Sequence, residues 1–126
     1  MERNKNRRIE ERLRYKWPVL FAEDFNESIS EGVMVDVSSG GLAFICPLNE
    51  HCPTLGQQIS MRFSIPRADE DDPSAMTSFT RSGRVLRIND VNHILRRIAI
   101  QFDEPLTLKP CEQEGIVLMQ SQNTDP

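Results

Sequence analysis

The sequence predicts a mainly β fold: a closed antiparallel barrel of six strands with a flexible basic N-terminal arm and a short C-terminal helix. Strand-length segments with a two-residue alternation follow one another from residue 15 to about residue 105, with turn residues and no helical pattern between them. A chain of 126 residues with 38% apolar composition can bury one modest core. Closure into a barrel avoids the exposed edges of an open sheet. We therefore expect one domain.

The N-terminal arm differs from the rest of the chain in charge. Residues 1–16 carry seven basic and three acidic groups, whereas the remainder carries eight basic and sixteen acidic ones. Few apolar side chains lie in residues 1–14, so ordering this segment alone would cost conformational entropy with little burial to offset it. We expect a flexible basic arm over residues 1–14, a barrel domain with its helix over 15–121, and a tail over 122–126.

The first three strands are separated by polar and glycine-containing turns. "YKWPVLFA" begins the barrel, with Pro18 at an edge or bulge position because proline lacks a ladder donor. In "EGVMVDVS" the valines at 33, 35 and 37 alternate with Met34, Asp36 and Ser38, which predicts a strand with two distinct faces. "SSGG" then interrupts the pattern, with glycine available for a positive φ, and "GLAFIC" resumes extended structure.

Three further strands and one helix complete the predicted fold. The strands are "LGQQISMRFSIP", "SFTRSGRVLRIN" and "RRIAIQFDEP", and the acidic segment "RADEDDPSAMT" between the first two is expected to be a solvated loop. After two prolines the segment "CEQEGIVLMQSQ" clusters four apolar residues, and a helix lying on the barrel is favoured over a terminal strand.

Composition and motifs exclude several functional classes. His51 and His93 are the only histidines, and neither lies in a motif for nucleophilic, phosphoryl-transfer or zinc chemistry, so no enzyme activity, metal or cofactor is expected. The three cysteines are odd in number and lack ligand spacing, which favours a reducing cytoplasmic setting. No apolar run approaches the length of a transmembrane helix, so membrane insertion is not expected.

The arm and the second turn carry groups suited to a guanine nucleotide. Arg7, Arg8 and Arg12 each offer a planar fork of donors, which can hold phosphate oxygens, meet the guanine O6 and N7, or stack on a purine. The Watson–Crick edge of guanine presents N–H donors, for which the carboxylate of Asp36 is a suitable acceptor. Ser38, two residues further along the strand, would place a hydroxyl on the same face.

The glycines that follow complete this candidate site. Gly40 and Gly41 permit a tight turn whose backbone groups a ligand can approach. An alternative interpretation is that Asp36 and Ser38 simply cap the hairpin turn, a frequent role of these residue types.

The order of these motifs resembles that of a PilZ domain, the bacterial receptor module for cyclic di-GMP. The family signature is RxxxR in a flexible N-terminal segment, here Arg8 to Arg12, and (D/N)xSxxG at a barrel turn, here Asp36 to Gly41. The resemblance spans roughly residues 7 to 105. It implies that cyclic di-GMP contacts Arg7, Arg8, Arg12, Asp36, Ser38, Gly40 and Gly41, and that the signal passes to a partner protein in trans.

The two halves of the signature differ in specificity. Twelve arginines make an RxxxR spacing common, and Arg3 with Arg7 forms a second one, whereas DxSxxG is rare by chance. We select Arg8 and Arg12 because they lie nearer the first strand. An arginine directly before the motif, here Arg7, resembles the pattern of those family members that bind the ligand as a stacked dimer. Ala99 replaces a glycine that is common in the family, a packing change that we expect to leave the ligand untouched.

Two other functions fit a barrel of this kind. One is a nucleotide-independent PilZ-like adaptor in pilus or motility machinery, against which the intact arginines argue. The other is an OB-like barrel that binds single-stranded RNA, which would require aromatic residues interleaved with basic strands instead of an acidic body. The sequence favours the receptor, acting as a monomer or weak dimer in motility, biofilm or virulence control, with no nucleic-acid partner.

Overall fold

The computed structural model describes residues 17–68, 71–72 and 75–123. The arm, whose arginines are predicted to bind the ligand, lies outside these residues. Six strands and one helix lie within them. They are β1 (Trp17–Ala22), β2 (Ser30–Val37), β3 (Gly41–Pro47), β4 (Gln58–Pro66), β5 (Met76–Asp90), β6 (Leu95–Phe102) and α1 (Pro110–Asn123).

The six strands close into an antiparallel barrel in the order β1-β2-β3-β6-β5-β4, which confirms the predicted fold class. The barrel is closed by a short ladder between β1 and β4, which begins at the pair Val19 and Phe63. Pro18 lies one residue before that ladder, where a missing N–H donor costs no bond to β4. The long strand β5 pairs with β4 through its first half and with β6 through its second.

Alternate residues of every strand point inward and form one apolar core. The largest side chains that are almost fully buried are Phe44, Met34, Met61, Ile65 and Ile98. Aromatic rings contact one another inside the barrel, with 4.7 Å between the ring centroids of Phe21 and Phe44. Five aromatic residues are buried in this core, and Phe79 packs against it; the five are Trp17, Phe21, Phe44, Phe63 and Phe102.

A bulge in β2 changes the predicted alternation of that strand. The register between β2 and β3 shifts between Met34 and Asp36, so Val35 is an extra residue in β2. As a result Met34 and Val37 are both buried, whereas Val33 and Val35 are only half-buried. The prediction of one continuous valine face is therefore wrong, and Asp36 is exposed at the end of the strand.

The C-terminal segment forms the predicted helix, which lies against the barrel. Ile116 and Met119 are buried in the same core as the strands. The helix approaches β4 so closely that a side chain at Gly115 would collide with the backbone oxygen of Pro66. At the first turn, Glu112 is buried and its Oε1 accepts a hydrogen bond from the backbone N–H of Lys109 at 2.8 Å. This contact caps the helix.

Glu112 should make the stability of the fold depend on pH. A hydrogen bond from Thr77 lowers the pKa of Glu112, and the bond from the Lys109 backbone acts in the same direction against the effect of burial. Its contribution is therefore fully present above the unfolded-state pKa of about 4.3 and is lost as the pH falls through the lower folded-state pKa. We expect Glu112→Gln to reduce the free energy of unfolding by about 1 to 3 kcal/mol at pH 7.

Urea denaturation of both proteins between about pH 3 and pH 7 checks this prediction. The difference between the wild type and Glu112→Gln should narrow at the acid end. Glu114→Gln is the matched control, because Glu114 is an exposed carboxylate on the same helix and should change little. A difference that stays constant over the whole pH range would contradict the assignment.

Candidate ligand-binding site

The predicted signature turn joins β2 to β3 and is closed by its own backbone. The N–H of Ser38 donates a hydrogen bond to the carbonyl of Gly41 at 2.8 Å. The hydroxyl of Ser38 lies 3.4 Å from the same oxygen. Because β2 ends at Val37, Ser38 is the first residue of the turn, and like Asp36 it is exposed.

Neither glycine of this turn uses a positive φ. Among the described residues only Gly56, in the loop before β4, has one, at 81°. The positive φ that glycine makes available is therefore not used in the "SSGG" turn. Gly41 is instead needed for space, since a Cβ there would collide with the backbone oxygen of Ile100 on β6, whereas a Cβ at Gly40 would meet nothing within 4 Å.

The turn is fixed to the last residue of β6 and to the segment that follows this strand. The carbonyl of Gly40 accepts a hydrogen bond from the N–H of Phe102 at 2.9 Å, and the carbonyl of Ser39 accepts one from Leu106 at 2.7 Å. Phe102 and Leu106 are both buried in the core. Two backbone N–H groups of the protein thus donate to the carbonyls of Ser39 and Gly40. These bonds hold the turn, and with it the neighbouring exposed side chains, in a defined position.

Asp36 is exposed at one end of a row of paired strand residues that includes two alanines, of which Ala43 is buried and Ala99 half-buried. It pairs with Ala43 on β3, which pairs with Ala99 on β6. Ala99 in turn pairs with Arg87 on β5. Since neighbouring strands are about 4.8 Å apart, this row spans roughly 14 Å. Asp36 and Arg87 are exposed at its two ends.

Sequence reasoning did not single out Arg87. It is distant from both motifs along the chain, and a bulge between Val85 and Arg87 changes the face on which it lies. Only the strand register brings it into line with Asp36. The sequence contained no signal for this, because the order of the strands in a barrel cannot be obtained from their alternation.

The chain enters the described part of the structure beside this site. Trp17, the first residue of β1, pairs with Met34, two residues before Asp36 on β2. Arg12 precedes Trp17 by five residues, and five extended residues span at most about 17 Å. Arg7, Arg8 and Arg12 lie outside the described residues, so their predicted contacts stay predictions.

The profile of the PilZ domain matches residues 6–114, which include both signature motifs and all six strands. The chain belongs to the PilZ domain family. No curated protein sequence matches it significantly. PilZ domains form a family of cyclic di-GMP receptors that bind and transmit a signal without catalysing a reaction. This membership confirms the resemblance inferred from the two motifs.

Within the described ranges, no group of three or more histidine, cysteine or acidic residues is placed to hold a metal ion. The described part of the chain also has no helix that is long and apolar enough to cross a membrane.

Proposed function

We propose that this PilZ domain binds cyclic di-GMP between the arginines of its arm and the turn from Asp36 to Gly41, and passes the signal to a partner protein in trans. The observation that carries the proposal is the family match, which includes the residues of both motifs. The second motif begins on β2, the strand that pairs with the start of β1, to which the arm is joined.

Asp36 is the group that reads the base. Its carboxylate lies exposed at the end of β2, next to a turn that is anchored to the core through Phe102 and Leu106. A carboxylate accepts from the N1 and N2 donors of guanine, and charge-assisted bonds of this kind are stronger than neutral ones. Ser38 contributes a hydroxyl at the same turn, Gly40 leaves space beside it for the ligand, and Gly41 holds the turn close to β6.

The row of small side chains supplies the surface on which the ligand lies. Ala43 and Ala99 carry only methyl groups, so a planar base can approach the strands between Asp36 and Arg87. In the proposed arrangement Ala99 borders the ligand, because it pairs with Ala43 and Arg87 in this row. Arg87 adds a cation at the far end of the row, where a phosphate or a second purine can be held.

The arm supplies the positive charge that the acidic body lacks. Arg8 and Arg12 hold the phosphates and guanine faces, and Arg7 adds the charge that a stacked pair of ligands would require. Ligand binding orders the arm against the barrel and creates a new surface for the partner, which suits a cytoplasmic regulator of motility, exopolysaccharide synthesis or virulence.

Calorimetric titration of the full chain with cyclic di-GMP tests the proposal. Asp36→Ala should weaken binding about tenfold to a hundredfold, because one charge-assisted hydrogen bond contributes roughly 1.5 to 3 kcal/mol. Glu31→Ala is the matched control, since Glu31 is another exposed carboxylate on β2 and should leave the affinity unchanged.

Absence of binding heat in the wild type would reject the receptor function and favour the nucleotide-independent adaptor. Equal affinity of Asp36→Ala and the wild type would leave the receptor function intact but remove Asp36 from the site.

A further inference from the structure

Two cysteines face each other at the end of the barrel opposite to the signature turn. The thiol of Cys46 contacts that of Cys52, with 3.8 Å between the two Sγ atoms. A disulfide has an S–S length of about 2.05 Å, so the two sulfur atoms need to approach by less than about 2 Å. The third cysteine, Cys111, lies in the first turn of α1.

The required movement can come from one side of the pair. Cys46 is fixed within β3, where it pairs with Arg96, and its side chain is almost completely buried. Cys52 belongs to the loop between β3 and β4 and is only half-buried. Its backbone N–H donates to the carbonyl of Asn49 at 3.1 Å, a turn that holds Cys52 above Cys46.

The environments of the two thiols assign them different roles. Cys52 lines an open cleft of about 570 Å³ together with His51 and Gly56, so small solutes reach it from solvent. Burial, with a further contribution from Cys52, raises the pKa of the Cys46 thiol to about 12. Cys46 therefore stays protonated at neutral pH, and Cys52, which is half-buried and lines the cleft, is the cysteine that reacts first.

We propose that Cys46 and Cys52 are a redox modification site, at which a hydroperoxide converts the two thiols into an intramolecular disulfide that cellular thiols reduce again. Its position, its ligand class and its chemistry are independent of the nucleotide site at the other end of the barrel.

The reaction proceeds in two steps that balance. The Cys52 thiolate attacks one oxygen of the hydroperoxide, the O–O bond breaks, and the leaving oxygen takes a proton, which leaves a sulfenic acid on Cys52. Cys46 then attacks the Cys52 sulfur, the S–S bond forms and the S–O bond breaks. The departing hydroxide takes the Cys46 proton and leaves as water. The thiols together lose two electrons, which reduce the peroxide.

Peptide mapping of the oxidised full chain tests this proposal. Reduced protein is treated with hydrogen peroxide, its remaining free thiols are alkylated, and it is cleaved with a glutamate-specific protease. Glu50 lies between Cys46 and Cys52, so cleavage after it separates the two cysteines unless a disulfide joins their peptides. We expect a linked pair, a mass loss of about 2 Da in the intact protein, and one alkylated thiol at Cys111. Dithiothreitol should reverse the link.

Cysteine variants identify the order of the steps. Cys111→Ser should form the same linked pair as the wild type. Cys46→Ala should accumulate sulfenic and then sulfinic acid on Cys52, whereas Cys52→Ala should leave Cys46 unmodified. If Cys46→Ala or Cys52→Ala fails to fold, the peptide map of the wild type is sufficient to decide the proposal. Three alkylated thiols after peroxide treatment, or disulfides that involve Cys111 or a second molecule, would overturn it.

Discussion

Arg8→Ala should lose cyclic di-GMP affinity by about tenfold to more than a hundredfold in a calorimetric titration. Each charge-assisted hydrogen bond from a guanidinium to phosphate or guanine contributes roughly 1.5 to 3 kcal/mol, and every 1.4 kcal/mol corresponds to about a factor of ten. Arg12→Ala should show a similar loss. The effect is large because the chain after residue 16 is acidic overall, with eight basic and sixteen acidic groups.

Two further substitutions make this experiment specific. Arg8→Lys keeps the charge but removes the planar fork, so it should bind with an affinity between those of the wild type and Arg8→Ala. Arg3→Ala removes an arginine of the other RxxxR pair in the arm and serves as the matched control. The stoichiometry from the same titration distinguishes one ligand from a stacked pair, which is the question that Arg7 raises. Equal losses in Arg3→Ala and Arg8→Ala would indicate nonspecific attraction by a basic arm.

Gly41→Ala should lower the free energy of unfolding by about 1 to 3 kcal/mol or more, the range that overpacking in a tightly packed region produces. The added methyl group would meet the backbone oxygen of Ile100, and a backbone atom in a paired strand cannot rotate away as a side chain can. Relief of this collision requires β3 to separate from β6. Chemical denaturation monitored by tryptophan fluorescence measures the loss, since the single tryptophan, Trp17, is buried.

The neighbouring glycine provides the control for this prediction. A methyl group at Gly40 would meet no atom within 4 Å, so Gly40→Ala should leave the stability nearly unchanged. Similar stabilities of the Gly40→Ala and Gly41→Ala proteins would show that the last position of the DxSxxG motif is not required for packing.

The strands and the helix could be predicted from the sequence because their signals are local. Two-residue alternation with turns between the segments was sufficient to place six strands, and the apolar cluster after Pro110 identified the helix. The bulge at Val35 was missed, since it depends on pairing with β3 and leaves no mark in the alternation of β2. The closing ladder between β1 and β4 was likewise inaccessible, because it joins segments about 40 residues apart.

Only those residues of the candidate site that belong to a sequence motif could be predicted. DxSxxG located the turn between β2 and β3, and the role of Asp36 in ligand binding stays a prediction. The physical roles within the motif were harder to foresee. Gly41 is required by the approach of β6 rather than by its own backbone angles, and Ser38 takes part in the turn instead of the strand. The first fact follows from the contact with the distant strand β6, and the second from the bond of Ser38 to Gly41 three residues further on.

The long strand β5 has a consequence for how the barrel folds. Its first half belongs to the ladder with β4 and its second half to the ladder with β6, with Gly83 and Arg84 pairing in both. Neither half of the barrel can form its hydrogen bonds completely while β5 is displaced. Because the β1 to β4 closure also has high contact order, we expect folding to be slow relative to helical proteins and cooperative, with the barrel unfolding as a single unit.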